Sequence, residues 1–425
     1  MKKKSLLFLV LLFTFGLILA ACNADKGSTP PEGNNDDPAT AEGISGEITV
    51  WAHPYTGGAE AETEMWDKMI ASFEDQYDVK VNFETIPWPN RDQKILTALA
   101  SNTGPDIFYV IPDQMPQYAD VGMLVELDPY LKDNDMDDFV ETALMATQWK
   151  GKTYGLPILQ EATTFFYNVD VIKAIGEDPN NLPKTWDEFK EWAEKANANG
   201  YYAMSYPGGG SMNHTLYPWL WQAGGNVVNE DNEVLINSPE GLEAFEWIND
   251  MYQKGWIPED SITATDHNGL WLGGKILAVM GSADLISVLQ DEGDFDFVIS
   301  PPLKNKEQYA YGTTGMFVVA SNSDNPDAAA EFLKTITNAD NQRTFNSLTN
   351  FIPTRESAKD IFAEGEPLSY IAANTQYALP GVIHPKGRAI MPLIQAELQA
   401  MMAGDKTPQE ALDAAEKAIE AEMAK

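Results

Sequence analysis

Strands and helices alternate at the start of the globular part of the chain. Three short segments with the alternation of a strand, at 47–51, 79–83 and 106–110, are separated by two segments whose apolar residues recur at helical spacing. In the first of the two helical segments, Met69 and Phe73 lie on one helical face. The order strand, helix, strand, helix, strand predicts a parallel sheet with right-handed crossovers and helices on its faces, hence an α/β fold.

The N-terminus carries the pattern of an export signal. Three lysines precede an uncharged, mostly apolar run at 6–21, which is too short to span a bilayer comfortably. The single cysteine, Cys22, directly follows a Leu-Ala-Ala string, which resembles the lipobox of bacterial lipoproteins. We expect 1–21 to be a lipoprotein signal peptide that is cut before Cys22. The lipidated Cys22 then anchors the mature protein on the extracellular face of the cell membrane; an uncleaved N-terminal anchor is the alternative.

The segment that follows Cys22 is predicted to be a solvated linker. Residues 23–46 are rich in Gly, Ser, Pro, Asn and Asp and lack the apolar periodicity of a core element. Together with Cys22 they form the expected tether, 22–46. Such a linker reaches on the order of 27 Å, enough to hold a folded body clear of a membrane.

Charge and cysteine content exclude several classes of protein. The chain of 425 residues has 28 Lys and Arg against 64 Asp and Glu, a formal net charge of −36. This charge repels phosphate backbones, so we expect no nucleic-acid partner. One cysteine allows no intramolecular disulfide and no Cys-pair zinc site. With 44% apolar residues, the length suggests two or three globular domains.

Motifs for catalysis or metal binding are weak. None of the four histidines belongs to an H-E-x-x-H pattern, and no P-loop occurs. The acidic string at 133–137 imitates a calcium loop, but Asp138 stands where Gly is needed and Leu144 where Glu belongs. We therefore expect no metal and no cofactor. A pair of carboxylates suited to glycoside hydrolysis stays open, because so many acids always offer a plausible pair.

Seven strings in order along the chain resemble one family. They are Thr103-Gly104-Pro105-Asp106-Ile107, Trp149 to Pro157, Tyr167-Asn168-Val169-Asp170, Pro183 to Phe189, Gly274 to Met280, Ala328 to Leu333, and Ile352-Pro353-Thr354. From about Glu47 to the C-terminus the chain resembles the extracellular solute-binding proteins of ABC importers, in particular the sugar-binding family that includes maltose-binding proteins.

The resemblance implies a two-lobed, type II periplasmic-binding-protein-like fold. Parallel-rich sheets flanked by helices form each lobe, and the ligand cleft lies between the lobes. Hinges are expected near Leu156-Pro157 and near Pro301-Pro302. The implied lobes are an N-terminal lobe at 47–157, completed by about 311–370, and a C-terminal lobe at 158–310, with part of the C-terminal helices at 371–425.

The resemblance also implies function. Such a protein closes its hinge around a sugar or oligosaccharide, leaves it unaltered and delivers it to the permease subunits of an ABC transporter, usually as a monomer. Two alternatives stay open. One keeps the transport role with a polyamine or glycerol phosphate as cargo, and the other is a secreted glycosidase.

In the N-terminal lobe, the implied ligand residues follow two strands. His53 and Tyr55 come after the first strand, although they could equally be turn residues. Tyr109 lies in the third strand. After it, Asp113 and Gln114 match positions where the family presents a carboxylate and a basic side chain to sugar hydroxyls, and Gln114 replaces that basic residue.

In the C-terminal lobe, the implied ligand residues are spread along the chain. Glu161 matches a hydroxyl-binding glutamate just after the hinge. His214 and Tyr217 match aromatic subsite positions, and Trp219, in the same segment, could equally be a core residue. Asp284 follows a strand where the family commonly has a tryptophan nearby.

One further pair precedes the last strand. Tyr311 and Thr313 flank Gly312, and a hydroxyl pair beside glycine suits close approach of a ligand to the backbone. A plain turn explains the same string equally well.

Overall fold

The computed structural model describes residues 43–56, 58–132 and 134–425. The predicted signal peptide, Cys22 and almost all of the predicted linker lie outside these ranges. Within them, no helix has both the length and the apolar character needed to cross a membrane.

The described residues form thirteen β-strands. They are β1 (Ser45–Ala52), β2 (Asp78–Thr85), β3 (Ile107–Val110), β4 (Gln148–Trp149), β5 (Lys152–Thr153), β6 (Gly155–Gln160), β7 (Thr164–Asn168), β8 (Tyr202–Met204), β9 (Ile276–Gly281), β10 (Phe297–Ser300), β11 (Ala310–Tyr311), β12 (Thr314–Val319) and β13 (Ala378–Leu379).

Sixteen α-helices alternate with these strands in the described ranges. They are α1 (Glu60–Gln76), α2 (Arg91–Ala100), α3 (Met115–Ala119), α4 (Glu141–Met145), α5 (Val169–Ala174), α6 (Trp186–Ala198), α7 (Met212–Thr215), α8 (Tyr217–Gln222), α9 (Pro239–Gln253), α10 (Asn268–Leu272), α11 (Ala283–Glu292), α12 (Pro326–Ile336), α13 (Ala339–Thr349), α14 (Pro367–Asn374), α15 (Gly387–Met402) and α16 (Pro408–Met423). Short 3-10 helices lie at Asp128–Tyr130, Met136–Asp138, Glu259–Ile262, Glu356–Ile361 and Thr375–Tyr377.

The first lobe is built on a five-stranded sheet with the order β2-β1-β3-β12-β6. Strand β1 pairs in parallel with β2 and β3, as the alternating pattern predicts, while β12 returns antiparallel between β3 and β6. Both faces of the sheet are covered, with Val50 in one apolar cluster and Phe108 in another. Because β1 and β3 are parallel, their carboxyl ends lie at the same edge of the sheet, where the following loops can carry a binding site.

The second lobe is built on a four-stranded sheet with the order β10-β7-β9-β8. Strands β8 and β9 are parallel, and β7 runs antiparallel to β9 and β10. Its main core packs Phe165 and Tyr167 of the sheet against residues of α6, α8, α9, α15 and α16. Each lobe thus has its own sheet and its own core, and the C-terminal helices α15 and α16 belong to the second.

Crossing segments join the lobes in three places. The chain leaves the first sheet after Gln160 and enters β7 at Thr164, returns between β11 and β12, and passes again at β13, which pairs in parallel with β11. Pro157 lies inside β6 and not in a crossing segment. Because β6 is the edge strand of its sheet, a proline is tolerated there. The Pro157 carbonyl accepts hydrogen bonds from Gln342 (3.2 Å) and Thr354 (2.8 Å).

The second expected hinge, near Pro301-Pro302, follows the end of β10 directly. The chain then stays with the second lobe, because the amide of Lys304 donates to the Lys184 carbonyl (2.8 Å) and the amide of Trp186 donates to the Lys304 carbonyl (3.2 Å). The return to the first lobe begins only at Ala310, where β11 starts.

Candidate binding site between the lobes

A cavity of about 570 Å³ lies where the carboxyl ends of β8 and β9 face the crossing segments. The turn at 349–351 closes it from the first lobe. Its lining is polar with several rings and includes Glu161, Ser205, Ser211, His214, Thr265, Asp266, His267, Asn268, Trp271, Tyr311, Thr313, Asn350 and Phe351. Such a mixture can stack on a ligand ring and hydrogen-bond to its substituents. No three His, Cys, Asp or Glu side chains cluster as a metal site requires within the described residues.

The crossing segments place Glu161, Tyr311 and Thr313 together at the cavity. The Glu161 amide donates to the Thr313 carbonyl (2.8 Å), and the amide and hydroxyl of Thr163 donate to the Tyr311 carbonyl (both 2.8 Å). Burial raises the pKa of Tyr311 to about 12, so its hydroxyl stays protonated. The structure therefore joins three of the predicted ligand residues in one wall.

Gly312 serves the contact between crossing segments. A Cβ atom there would lie 2.2 Å from the Glu161 carbonyl oxygen and 2.4 Å from the Ala378 Cβ. These distances allow no side chain. The space beside Gly312, where the sequence suggested close approach of a ligand, is thus filled by the Glu161 carbonyl and the Ala378 side chain.

His214 stands beside this wall on the second lobe. It lies in α7, whose N-terminus is capped by the Ser211 hydroxyl accepting from the Asn213 amide (3.3 Å). The imidazole meets the Tyr311 ring edge to face, with centroids 5.0 Å apart. His214 therefore lies at the cavity, and its role in ligand binding stays a prediction.

An aromatic cluster of His53, Tyr55, Trp88 and Tyr109 lies at the carboxyl ends of β1 and β3. His53 stacks on Trp88 with centroids 4.2 Å apart, and Tyr55 meets Tyr109 edge to face at 5.4 Å. Burial lowers the pKa of His53 to about 4, so the ring is neutral at pH 7. Burial also raises the pKa of Tyr109, with a smaller contribution from the Glu161 carboxylate. The cluster thus lies close to the Glu161 wall, although its residues do not line the cavity.

Asp113 and Gln114 belong to a network that joins the lobes. Arg388 of α15 donates from Nε and Nη2 to the two carboxylate oxygens of Asp113 (2.9 and 3.2 Å) and from Nη1 to Asp92 (2.8 Å). Gln114 is buried and donates to the same Asp92. Both predicted residues therefore have protein partners, and Arg388 forms an interlobe ion pair.

Tyr217 and Trp219 lie in the core of the second lobe. Both side chains are fully buried, and neither lines the cavity. Trp219 meets Trp186 edge to face at 5.5 Å. The reason is that α8 is buried on every side, so helical spacing selects no cavity-facing residue. The side chain of Asp284 and the whole of Cys22 lie outside what the structure describes.

Sequence reasoning missed four residues at or near the site. Trp88 follows β2 and is 37% exposed, and Ser205 directly follows β8. His267 and Trp271 are four residues apart, at the start and on the first turns of α10, and both face the cavity. That spacing was a usable signal, but a five-residue helix is too short to be recognised by periodicity.

Comparison with known proteins places the chain in a family. A sequence profile described as bacterial extracellular solute-binding protein matches residues 68–377. Because the match spans most of the chain, this protein belongs to that family, as the sequence motifs predict.

Individual relatives agree with this assignment. The galactooligosaccharide-binding protein of Bacillus subtilis is 23% identical to this chain. The alignment covers 98% of this chain and 96% of that protein. The diacetylchitobiose binding protein DasA of Streptomyces coelicolor is 27% identical over 80% of this chain and 79% of its own. The structure of a cyclic α-maltosyl-1,6-maltose binding protein from Arthrobacter globiformis superposes with a TM-score of 0.78 at 24% identity, covering 89% of this chain and 98% of that one. At that identity the superposition confirms the expected two-lobed fold.

Proposed function

We propose that this protein is the extracellular, lipid-anchored binding component of an ABC importer, that its cargo is an uncharged sugar or oligosaccharide, and that it works as a monomer without chemical turnover. Cys22 carries the anchor, and the permease subunits of the importer receive the cargo. Closure of the lobes about the crossing segments encloses the ligand.

One observation carries the proposal: the cavity combines rings with hydroxyl, amide and carboxylate groups. His214, Tyr311 and Trp271 offer rings, while Glu161, Asp266 and Asn350 offer acceptors and donors. Sugar rings have apolar C–H faces and a rim of hydroxyl groups, and they match such a lining. A volume of about 570 Å³ accommodates a ligand of a few rings.

The lining also argues against a phosphorylated cargo. No lysine or arginine is among the described residues that line the cavity. Phosphate is recognised mainly by such cations. A polyamine needs several carboxylates around its ammonium groups. Among the described lining residues Glu161 and Asp266 supply two, so a polyamine is a weaker candidate than a sugar.

Thermal unfolding of the mature protein with a panel of solutes tests the proposal. The panel contains maltose, maltotriose, a galactooligosaccharide, diacetylchitobiose, spermidine and glycerol 3-phosphate. A ligand at 100 times its Kd stabilises the folded protein by about 2.7 kcal/mol. We expect a rise in Tm with at least one sugar. Glu161→Gln reduces that rise, while Glu420→Gln, on the exposed face of α16, leaves it unchanged.

Other outcomes reject the proposal in distinct ways. A shift with spermidine or glycerol 3-phosphate alone would change the cargo. Hydrolysis of chromogenic glycosides, abolished in Glu161→Gln, would make the protein a glycosidase. For the anchor, incorporation of radiolabelled palmitate in cells is expected in the wild type and not in Cys22→Ser.

A further inference from the structure

A hydrogen-bonded chain runs from the cavity wall to the surface of the second lobe. The Ser205 hydroxyl lies 3.0 Å from Nδ1 of His267, and Nε2 of His267 lies 3.2 Å from Oδ1 of Asp260. Ser205 and His267 line the cavity, whereas the Asp260 side chain is 71% exposed. The His267 imidazole itself is buried.

With a neutral imidazole, the chemistry of the three groups sets their hydrogen positions. A carboxylate only accepts hydrogen bonds, so Nε2 of His267 carries the proton that faces Asp260. In the neutral imidazole Nδ1 is then an acceptor, and it takes the single hydroxyl hydrogen of Ser205. The Ser205 oxygen is left with its lone pairs for the cavity, so it can accept a hydrogen bond from a ligand but has no hydrogen to donate.

Trp271 packs behind this wall. It borders the cavity but is 1% exposed and belongs to the apolar cluster that holds Phe166 and Ile276, so its indole N–H is not offered to a ligand. His267 and Trp271 are held together because the His267 carbonyl accepts the Trp271 amide (3.0 Å) at the start of α10.

We propose that Ser205 is a specificity-determining residue that recognises a hydroxylated ring at this end of the cavity. Its oxygen accepts a hydrogen bond from one ligand hydroxyl. Asp260 is a positioning residue, since it acts through the tautomer of His267. This inference rests on the proposed function for its ligand, but the hydrogen-bonded chain is a property of the unliganded protein.

The tautomer is measured without ligand. In ¹⁵N NMR of the uniformly labelled protein, the His267 ring is identified by its loss in His267→Gln. We expect a protonated Nε2 and a bare Nδ1. Ser205→Ala shifts the Nδ1 signal, and Asp260→Ala weakens the preference for the Nε2–H form. A ring protonated at Nδ1 would overturn the inference.

Affinity is measured by calorimetry with the panel sugar that gives the largest rise in Tm. Because one hydrogen bond is lost, Ser205→Ala is expected to weaken binding roughly two- to tenfold. His384→Gln is the control for the loss of a buried histidine in His267→Gln, because His384 binds Asn232 and the Lys386 amide away from the cavity.

Equal affinities for Ser205→Ala and the wild type would overturn the assignment of Ser205. Failure of the wild type to bind any sugar would reject the proposed function instead. The tautomer measurement would still decide whether the hydrogen bonds from Ser205 through His267 to Asp260 are formed as described.

Discussion

At the scale of single residues, His53 links the pH dependence of stability to the aromatic cluster. The side chain is 1% exposed, its Nδ1 lies 2.9 Å from the Ile86 carbonyl oxygen, and burial lowers its pKa from 6.5 to about 4. Between pH 6.5 and about pH 4, the histidine at position 53 is protonated in the unfolded chain and neutral in the folded protein. This contribution to the free energy of unfolding is therefore complete above pH 6.5 and is lost as the pH falls toward 4.

We predict that the free energy of unfolding decreases less at acidic pH in His53→Gln than in the wild type. The contribution of His53 should fall by on the order of 2 kcal/mol between about pH 7 and about pH 4.5. Urea unfolding of wild type and variant at both pH values measures it as a double difference, which removes the effect of the many carboxylates. His384→Gln serves for comparison, because the pKa of that histidine is also lowered by burial, away from the aromatic cluster. Equal pH dependence of His53→Gln and wild type would contradict the prediction.

Residue-level prediction from sequence worked where strand ends fix position. The strands that precede the carboxyl edge of the first sheet were recognisable in the sequence. The positions of His53, Tyr55, Asp113 and Gln114 at that edge were therefore predictable. Their partners were not predictable. Arg388, which binds Asp113, is 275 residues further along the chain, and no local pattern reports such a contact.

At the scale of elements, Gly312 holds the crossing segments together. A Cβ there overlaps both the Glu161 carbonyl and Ala378, atoms of two other crossing segments. We predict that Gly312→Ala destabilises the fold by about 1–3 kcal/mol or displaces these segments. Chemical denaturation measures the change in the free energy of unfolding.

Gly269→Ala provides the matched comparison. Gly269 lies in α10, and a Cβ atom added there would meet nothing within 4 Å, so alanine should be neutral or slightly stabilising. Similar stability of the two variants would show that the crossing segments yield readily and that Gly312 is not required for their contact.

Elements with strong local signals were predictable. Capping boxes at Thr185 and Thr407 begin α6 and α16 as their sequences indicate. The segment Gly155–Gln160 was not, because the family resemblance placed a hinge near Leu156-Pro157. The pairing partners of this strand, β12 on one side and the Ile352 bridge on the other, are distant in sequence. Pairing partners decide whether a proline is tolerated at an edge strand.

At the scale of the whole molecule, the proposed function requires two acidic lobes to approach each other around a ligand. The chain has a formal net charge of −36, so the lobes repel on average. The interlobe ion pair opposes this locally, since one guanidinium of the second lobe meets two carboxylates of the first. A fork that binds both oxygens of Asp113 also fixes direction, which a single lysine contact would not.

We therefore predict that Arg388→Met separates the lobes. The change leaves Asp113 facing the acidic second lobe without the guanidinium that binds it, so the radius of gyration from X-ray scattering of the ligand-free protein at low ionic strength should rise. Global stability should fall by less than about 1 kcal/mol, because Arg388 is 42% exposed.

Lys386→Met is the matched control, since Lys386 precedes the same helix and pairs with Glu422 of its own lobe at 4.0 Å. Both variants remove one positive charge, so a general effect of net charge would expand both equally. Expansion confined to Arg388→Met would assign the effect to the interlobe ion pair. Indistinguishable scattering profiles for the two variants would mean that other contacts, such as the apolar cluster that contains both Ile352 and Phe166 of the second sheet, hold the lobes in place.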